Sequence, residues 1–273
     1  MVPRQEKKAE NLFEILRELF KYRELLFKLT TRGIKVQYKQ TFLGIVWAIF
    51  IPFTSMIIFA FIHKAKIITI DTGSIPYPIF VYCGLLPWIF FAGSLNASTQ
   101  SLVNYASLID KIYFPRAIIP LASVLSKVID LVIASIFLIV LMVIYNIELH
   151  IAILAVPLIL FIQIIFVSGL ALFLSMGNLF YRDIGYIVSG IVPLMMFVTP
   201  VIYPIQMGSK QLQGVMVGLN PMIPIINAYR DLILRGRLPN FTELAIAVSL
   251  CFCLFFISLF WFHKKEHLFA ENI

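Results

Sequence analysis

Two ionisable residues three positions apart, Lys127 and Asp130, interrupt the apolar run "LSKVIDLVIASIFLIVLMVI". On a helix that spacing puts an ammonium and a carboxylate on one face, within reach of each other. The chemistry open to them is proton transfer or mutual neutralisation, because ionisable groups at such depth are costly unless paired or turned to a bundle interior. No other buried carboxylate continues a relay, which favours an intramembrane ion pair or an interhelix contact. Other chemistry is scarce. His263 and His267 have i,i+4 spacing but no third ligand nearby, and no metal site is assigned. Asp110, Asp183 and Asp231 each adjoin a basic residue, and none has a histidine near it in sequence. A membrane-embedded glycosyl- or acyltransferase, the reading from a different functional class, needs a positioned carboxylate or histidine with a second polar partner. A GxxxxGK[ST] phosphate loop is missing too, so the chain does not hydrolyse nucleotide by that route. We name no catalytic residue.

The elements that must hold these residues follow from composition. The 273-residue chain is 60% hydrophobic and 13% charged, whereas a soluble domain carries about 25% charged residues. A spanning helix takes about 20 mostly apolar residues. Six stretches qualify, at 43–62, 78–101, 117–145, 151–177, 186–204 and 242–262. The sequence thus predicts an all-α polytopic membrane protein with six transmembrane helices over 41–273. Cys83, Cys251 and Cys253 fall in apolar segments without metal-ligand spacing and read as small hydrophobes.

The net charge of +8 reflects membrane topology, not nucleic-acid binding. With the N-terminus inside, fifteen Lys and Arg residues fall on the inner side and six on the outer, which predicts both termini in the cytoplasm. Segment 1–40 is a charged cytoplasmic tail followed by an amphipathic helix, unlike a secretory signal. There Leu12, Leu16, Leu19 and Leu26, with Phe13, Phe20 and Phe27, share a face opposite Glu14, Arg17, Glu18, Lys21 and Lys28. Such a helix lies in the headgroup plane or packs on a partner protein.

Residues 206–235 are apolar but broken at Asn220-Pro221 and Pro224, so each half is too short to cross. Non-helical backbone at membrane depth requires protein or a water-filled cavity around it. We read two short, re-entrant extracytoplasmic helices before the last span, with a plain surface loop as the alternative. Pro193, Pro200 and Pro204 should kink the fifth span. Ser94, Ser98 and Ser101, with Asn96, Thr99 and Gln100, form a polar face on the second span, which serves as interhelix glue or lines a hydrated path.

The stretch "RGIKVQYKQTFLGIVWAIFIP" carries Arg32, Lys35, Tyr38, Leu43, Gly44, Trp47 and Pro52. That pattern resembles the start of the first span in ABC-transporter permeases that export polysaccharides. "NYASLIDKIYFPRAIIP" resembles the family's cytoplasmic element, with Asn104, Leu108, Ile109, Lys111, Phe114, Pro115, Arg116 and Pro120 in place. "FYRDI", "TPVIYP" and "LNPMIPIINAYRDLILRG" follow in the family's order. The resemblance covers nearly the whole chain.

It implies a homodimeric permease domain in the bacterial inner membrane, joined to two copies of a nucleotide-binding ABC ATPase. ATP and Mg would be bound by that partner and no cofactor by this chain. The cargo would be a lipid-linked polysaccharide, O-antigen ahead of teichoic acid or capsule. A small-drug ABC permease shares the topology but should show less of the Tyr/Trp pattern. Segment 104–114 would be the coupling helix seated in the ATPase, with Asn104, Leu108, Asp110, Lys111, Phe114 and Arg116 as coupling residues. A sliding glycan favours flat aromatic surfaces, so Tyr38, Trp47, Tyr82, Trp88, Phe197 and Tyr203 are expected along the path.

Overall fold

In lipid, an open backbone must satisfy its own N–H and C=O groups, and a helix does so within one segment. The computed structural model describes residues 12–39, 41–109, 111, 114–205 and 210–271, and among them it contains helices and no strand. Five helical stretches are long and apolar enough to cross a membrane: Gly44–Lys64, Tyr77–Thr99, Ile118–Ile144, Ile151–Phe180 and Phe241–Lys265. Their α-helical parts are α3 (Trp47–Lys64), α4 (Tyr77–Thr99), α7 (Ile118–Ile144), α8 (Val156–Phe180) and α12 (Phe241–Lys265).

The fifth apolar stretch departs from expectation. It forms α9, Asp183–Val198, of 16 residues, below the length of a full crossing. Pro193 stays inside this helix. Pro200 ends it, because a residue before proline is pushed out of the α region: Thr199 is extended, at φ −85 and ψ 131. Instead of a kinked span through Pro204, the chain leaves the helix at Thr199.

The remaining helices gather at the two ends of the bundle. α1 (Leu12–Lys21) and α2 (Arg23–Tyr38) lie at the end that also carries the chain's C-terminal 3-10 segment Glu266–Glu271. The connection between α4 and α7 is at that same end and contains α5 (Ser101–Asn104) and α6 (Ala106–Ile109). At the far end, α10 (Lys210–Leu219) and α11 (Met222–Leu234) precede α12. α11 is buried along most of its length and packs against α4, α8 and α12. The surface-loop alternative for this half of 206–235 is thereby excluded.

Burial ranks the spanning helices. Of the most apolar window of α4, 78% is buried, against 11% for the first spanning stretch. α4 is the central post, while α3 presents most of its surface outward. One core surrounds α4 with α7, α8 and α11; a second, at the terminal end, joins Ile15 and Leu29 to Phe114, Leu172, Leu259, Phe262 and Phe269.

The N-terminal helices divide their apolar face. Ile15 and Leu29 are buried and Leu19, Leu25 and Leu26 pack on the terminal-end core. Phe13, Phe20 and Phe27, each seven residues from the next, remain exposed. One stripe therefore packs on the chain itself, and a second faces outward with the amphipathic geometry of a headgroup-level helix.

Close packing at α4 depends on Gly84. A Cβ there would stand 2.4 Å from the Arg230 guanidinium and 2.5 Å from the Val201 carbonyl oxygen. Gly84→Val should lower stability by about 1–3 kcal/mol through overpacking. Gly93→Ala should be nearly silent, since its Cβ would meet nothing closer than Lys127 Cδ at 3.8 Å. Thermal unfolding of the two purified variants against wild type checks the contrast.

Candidate functional site

The segment expected as one coupling helix is broken. α5 ends at Asn104, Tyr105 leaves helical geometry at φ −106 and ψ 17, and α6 supplies one further turn. Ile109 and Phe114 both anchor in the terminal-end core; residues five apart on a straight helix point about 140° from each other, so one uninterrupted helix through 104–114 would not bury both. Asn104 and Lys111 are exposed, Leu108 is half-buried, and Asp110 lies outside the described residues.

Arg116 is held where sequence reasoning looked least. Its backbone N–H donates to the Glu266 carboxylate and its guanidinium to the Glu266 carbonyl oxygen. The same guanidinium stands 5.9 Å from the Phe269 ring centre. Phe269 is fully buried, packed edge-on against Phe262 at 5.0 Å and Phe180 at 5.9 Å. The last turns of the chain thus brace the connection between α4 and α7. Only the Phe and Glu in "KKEHLFAE" hinted at this. His263 Nδ1 lies 3.3 Å from the Glu266 carboxylate, and no cluster that could hold a metal occurs among the described residues.

A second clip joins the ends of three helices beside this face. Asn178, fully buried in α8, donates to the Thr99 carbonyl oxygen at 3.0 Å and accepts from the Gly185 N–H at 2.8 Å. One amide side chain thereby ties α4, α8 and α9 together.

The ion pair predicted inside the membrane is present, with Lys127 Nζ 3.5 Å from Asp130. It is half of a larger clasp. Gln37 accepts from Lys127 at 2.8 Å and donates to Asp130 at 2.9 Å. Tyr38 donates to the other Asp130 oxygen. Burial first, and the Asp130 carboxylate second, push the Tyr38 phenol well above its ordinary pKa, so it remains a donor. The four groups fasten α2 to α7 just where Gly33 meets Ser126 at helix-contact distance.

At the far end the principal residue is Arg230, unsingled by sequence reasoning. It is 1% exposed and lies over the Phe80 ring, 3.8 Å from its centre. It donates to the Pro200 carbonyl oxygen at 2.8 Å and to that of Val201. Its neighbour Asp231 pairs with Arg235 at 2.7 Å and Arg237 at 2.9 Å. Gln163, also buried, donates to the Pro87 carbonyl oxygen at 2.7 Å and accepts from Tyr229 at 3.1 Å. The signal was available: Tyr-Arg-Asp inside an apolar stretch is costly unless each polar group has a partner.

The six aromatic residues expected along a path separate into three groups. Tyr82 and Trp88 are packed in the core, and the Tyr82 hydroxyl donates to the Ala134 carbonyl oxygen. Their position on the central helix makes them packing residues, a correction to the expected lining. Trp47 and Phe197 are exposed on α3 and α9. Tyr38 and Tyr203 are half-buried, the first in the clasp, the second donating to the Phe197 carbonyl oxygen at 2.8 Å. On the serine face at the end of α4 and the start of α5, Ser98, Thr99 and Ser101 bond back to carbonyls three or four residues earlier and are buried. That is the behaviour of helix-packing residues.

Comparison with known proteins adds an independent observation. The pattern of the ABC-2 type transporter family matches residues 24–234. An O-antigen export system permease protein RfbA from Myxococcus xanthus is 28% identical over 264 residues, covering 96% of this chain and 100% of that protein. A protein of the same description from Klebsiella pneumoniae is 31% identical over 250 residues, covering 91% and 94% respectively.

The clasp generates a double-mutant prediction. Lys127→Met and Asp130→Asn should each cost about 1–3 kcal/mol, because each leaves the remaining groups of a half-buried network short of a partner. The double replacement Lys127→Met with Asp130→Asn should cost less than the sum of the two single losses. Denaturation of the purified proteins measures the cycle; strict additivity would show that the groups do not act as a unit.

Proposed function

The chain belongs to the ABC-2 type transporter family, and on that premise we propose that it forms the membrane channel of an exporter of lipid-linked polysaccharide. The observation that carries this reading is coverage: relatives named as O-antigen export permeases align over 91–96% of this chain and 94–100% of their own length. O-antigen is the cargo we assign. Hydrolysis of ATP, with its Mg, takes place on a separate ABC ATPase subunit, two copies of which serve a dimer of this chain. The exposed apolar faces of α3 and α9 suit contact with a second copy or with lipid.

The chain's own part is mechanical. The end of the bundle bearing both termini is assigned to the cytoplasm of a bacterial inner membrane, in line with its excess of Lys and Arg. There the exposed Asn104 and Lys111 meet the ATPase, and closure of the ATPase around nucleotide moves this face. Because Ile109 and Phe114 are rooted in the core that also holds α1, α8 and α12, a push on the connection is delivered to those helices together. The equilibrium between closed and open channel shifts by the difference in ATPase affinity for the two states.

Deleting the gene in a host that displays O-antigen should abolish surface polymer while lipid-linked polymer accumulates inside, and wild-type chain should restore display. Lys111→Glu should insert and accumulate normally, since Lys111 is exposed, yet reduce export by about tenfold, the scale of one lost charge-assisted contact. Immunoblotting of surface and internal polymer reads both. Cysteines at Ser107 and Arg182 should be labelled by impermeant reagent only in everted vesicles, and one at Ser74 only in intact cells. Labelling of Ser74 from the cytoplasmic side would overturn the assigned orientation.

A further inference from the structure

Lys127 stands at the junction of two cavities. A groove of about 730 Å³ runs between α2, α4 and α7 at the terminal end, its polar lining including Arg32, Gln37, Asn96, Gln100 and Lys127. A slot of about 190 Å³ opens between α3, α4 and α7, walled chiefly by Trp47, Ile51, Pro52, Leu86 and Phe90. Gln37, Gly93 and Lys127 border both. A groove bearing two cations and several amide groups and a smaller apolar slot therefore share one neck.

The charges at this neck do not cancel. The groove lining contains Arg32 and Lys127 and no carboxylate; Asp130 borders the slot alone. Adding Arg32 and Lys127 and subtracting Asp130 leaves one positive charge. Arg32 is exposed, stacks at 5.4 Å over Tyr105, and forms no ion pair among the described residues. Lys127 directs donors to Gln37 and Asp130, and an ammonium has three. The Asp130 charge is further spread by bonds from Gln37 and Tyr38. A guanidinium and an ammonium on one concave wall suit a phosphate, and basic pockets between membrane helices at a membrane boundary are where anionic headgroups bind.

We propose that this junction is a binding site for a phosphate-bearing lipid, its phosphate in the groove with Arg32 and Lys127 and the first segment of its tail in the slot. Phosphate alone would leave the slot unused, and an uncharged lipid would leave Arg32 without an anion. The argument stands on the two cavities and their charges, so it does not depend on which polymer the chain exports.

The test uses the purified full-length chain in detergent and native mass spectrometry, with phosphatidylglycerol, a polyprenyl phosphate and uncharged diacylglycerol as probes. At least one phosphate lipid should be retained about tenfold more than diacylglycerol, the scale of one charge-assisted hydrogen bond. Whichever of the two phosphate lipids is retained better identifies the source of the headgroup. Arg32→Gln should remove most of that preference. Gly93→Leu should lower retention by filling the neck, where an added Cβ has open space apart from Lys127 Cδ at 3.8 Å. Equal retention of diacylglycerol and both phosphate lipids overturns the site, as does wild-type retention in folded Arg32→Gln. Should Gly93→Leu fail to fold, Arg32→Gln, altered at an exposed position, decides alone.

Discussion

Two carbonyl groups dictate the far half of this protein. Where the chain leaves α9 at Thr199, the Pro200 and Val201 carbonyl oxygens lose their place in a helical ladder while Val201 itself is fully buried. A buried backbone acceptor without a partner costs about 1–3 kcal/mol. Arg230 answers both from α11. For its guanidinium to reach them, α4 must offer the bare backbone of Gly84 and the ring face of Phe80. The unwound stretch, the central helix and the short buried helix thus form one solution to one constraint. Alteration of any member leaves a charge or a carbonyl stranded.

The terminal half is organised differently, by apolar anchors and short polar clips. Phe114 and Ile109 root the connection between α4 and α7, and Phe269 roots the chain's last turns in the same core. Arg116 bridges the two, while Asn178 gathers the ends of α4, α8 and α9. The clasp of Gln37, Tyr38, Lys127 and Asp130 fixes the N-terminal helices to α7. A surface built this way is tied across its elements, because they share side chains instead of merely touching.

Legibility in the sequence followed the range of the interaction. Long apolar runs announced the spanning helices, since hydropathy is read residue by residue; Lys127 and Asp130 announced each other, since three residues on a helix fix their meeting. Gln37 was invisible as their partner because its role arises from a fold contact about ninety positions away, the scale on which only three-dimensional packing decides. Arg230 entered the sequence reading only among the outer-side cations, although its burial beside Phe80 depends on α11 folding inward. Tyr82 and Trp88 resembled path residues by type, but α4's central position assigned them to packing. The stretch expected as one helix over 104–114 is two short helices ending at Ile109, and a straight helix could not bury Ile109 and Phe114 together.

The brevity of α9 has a consequence for the surrounding bilayer. Sixteen residues rise about 24 Å, against a hydrocarbon layer of about 30 Å. Along one side this helix presents Ile187, Ile191, Leu194 and Val198 outward. Hydrophobic mismatch of that size is met by lipid thinning or by water reaching inward at the helix ends. The apolar face of α9 is therefore shorter than that of any of the five spanning stretches. Whatever lies against it, lipid or protein, meets a shorter apolar surface than the five spanning helices present.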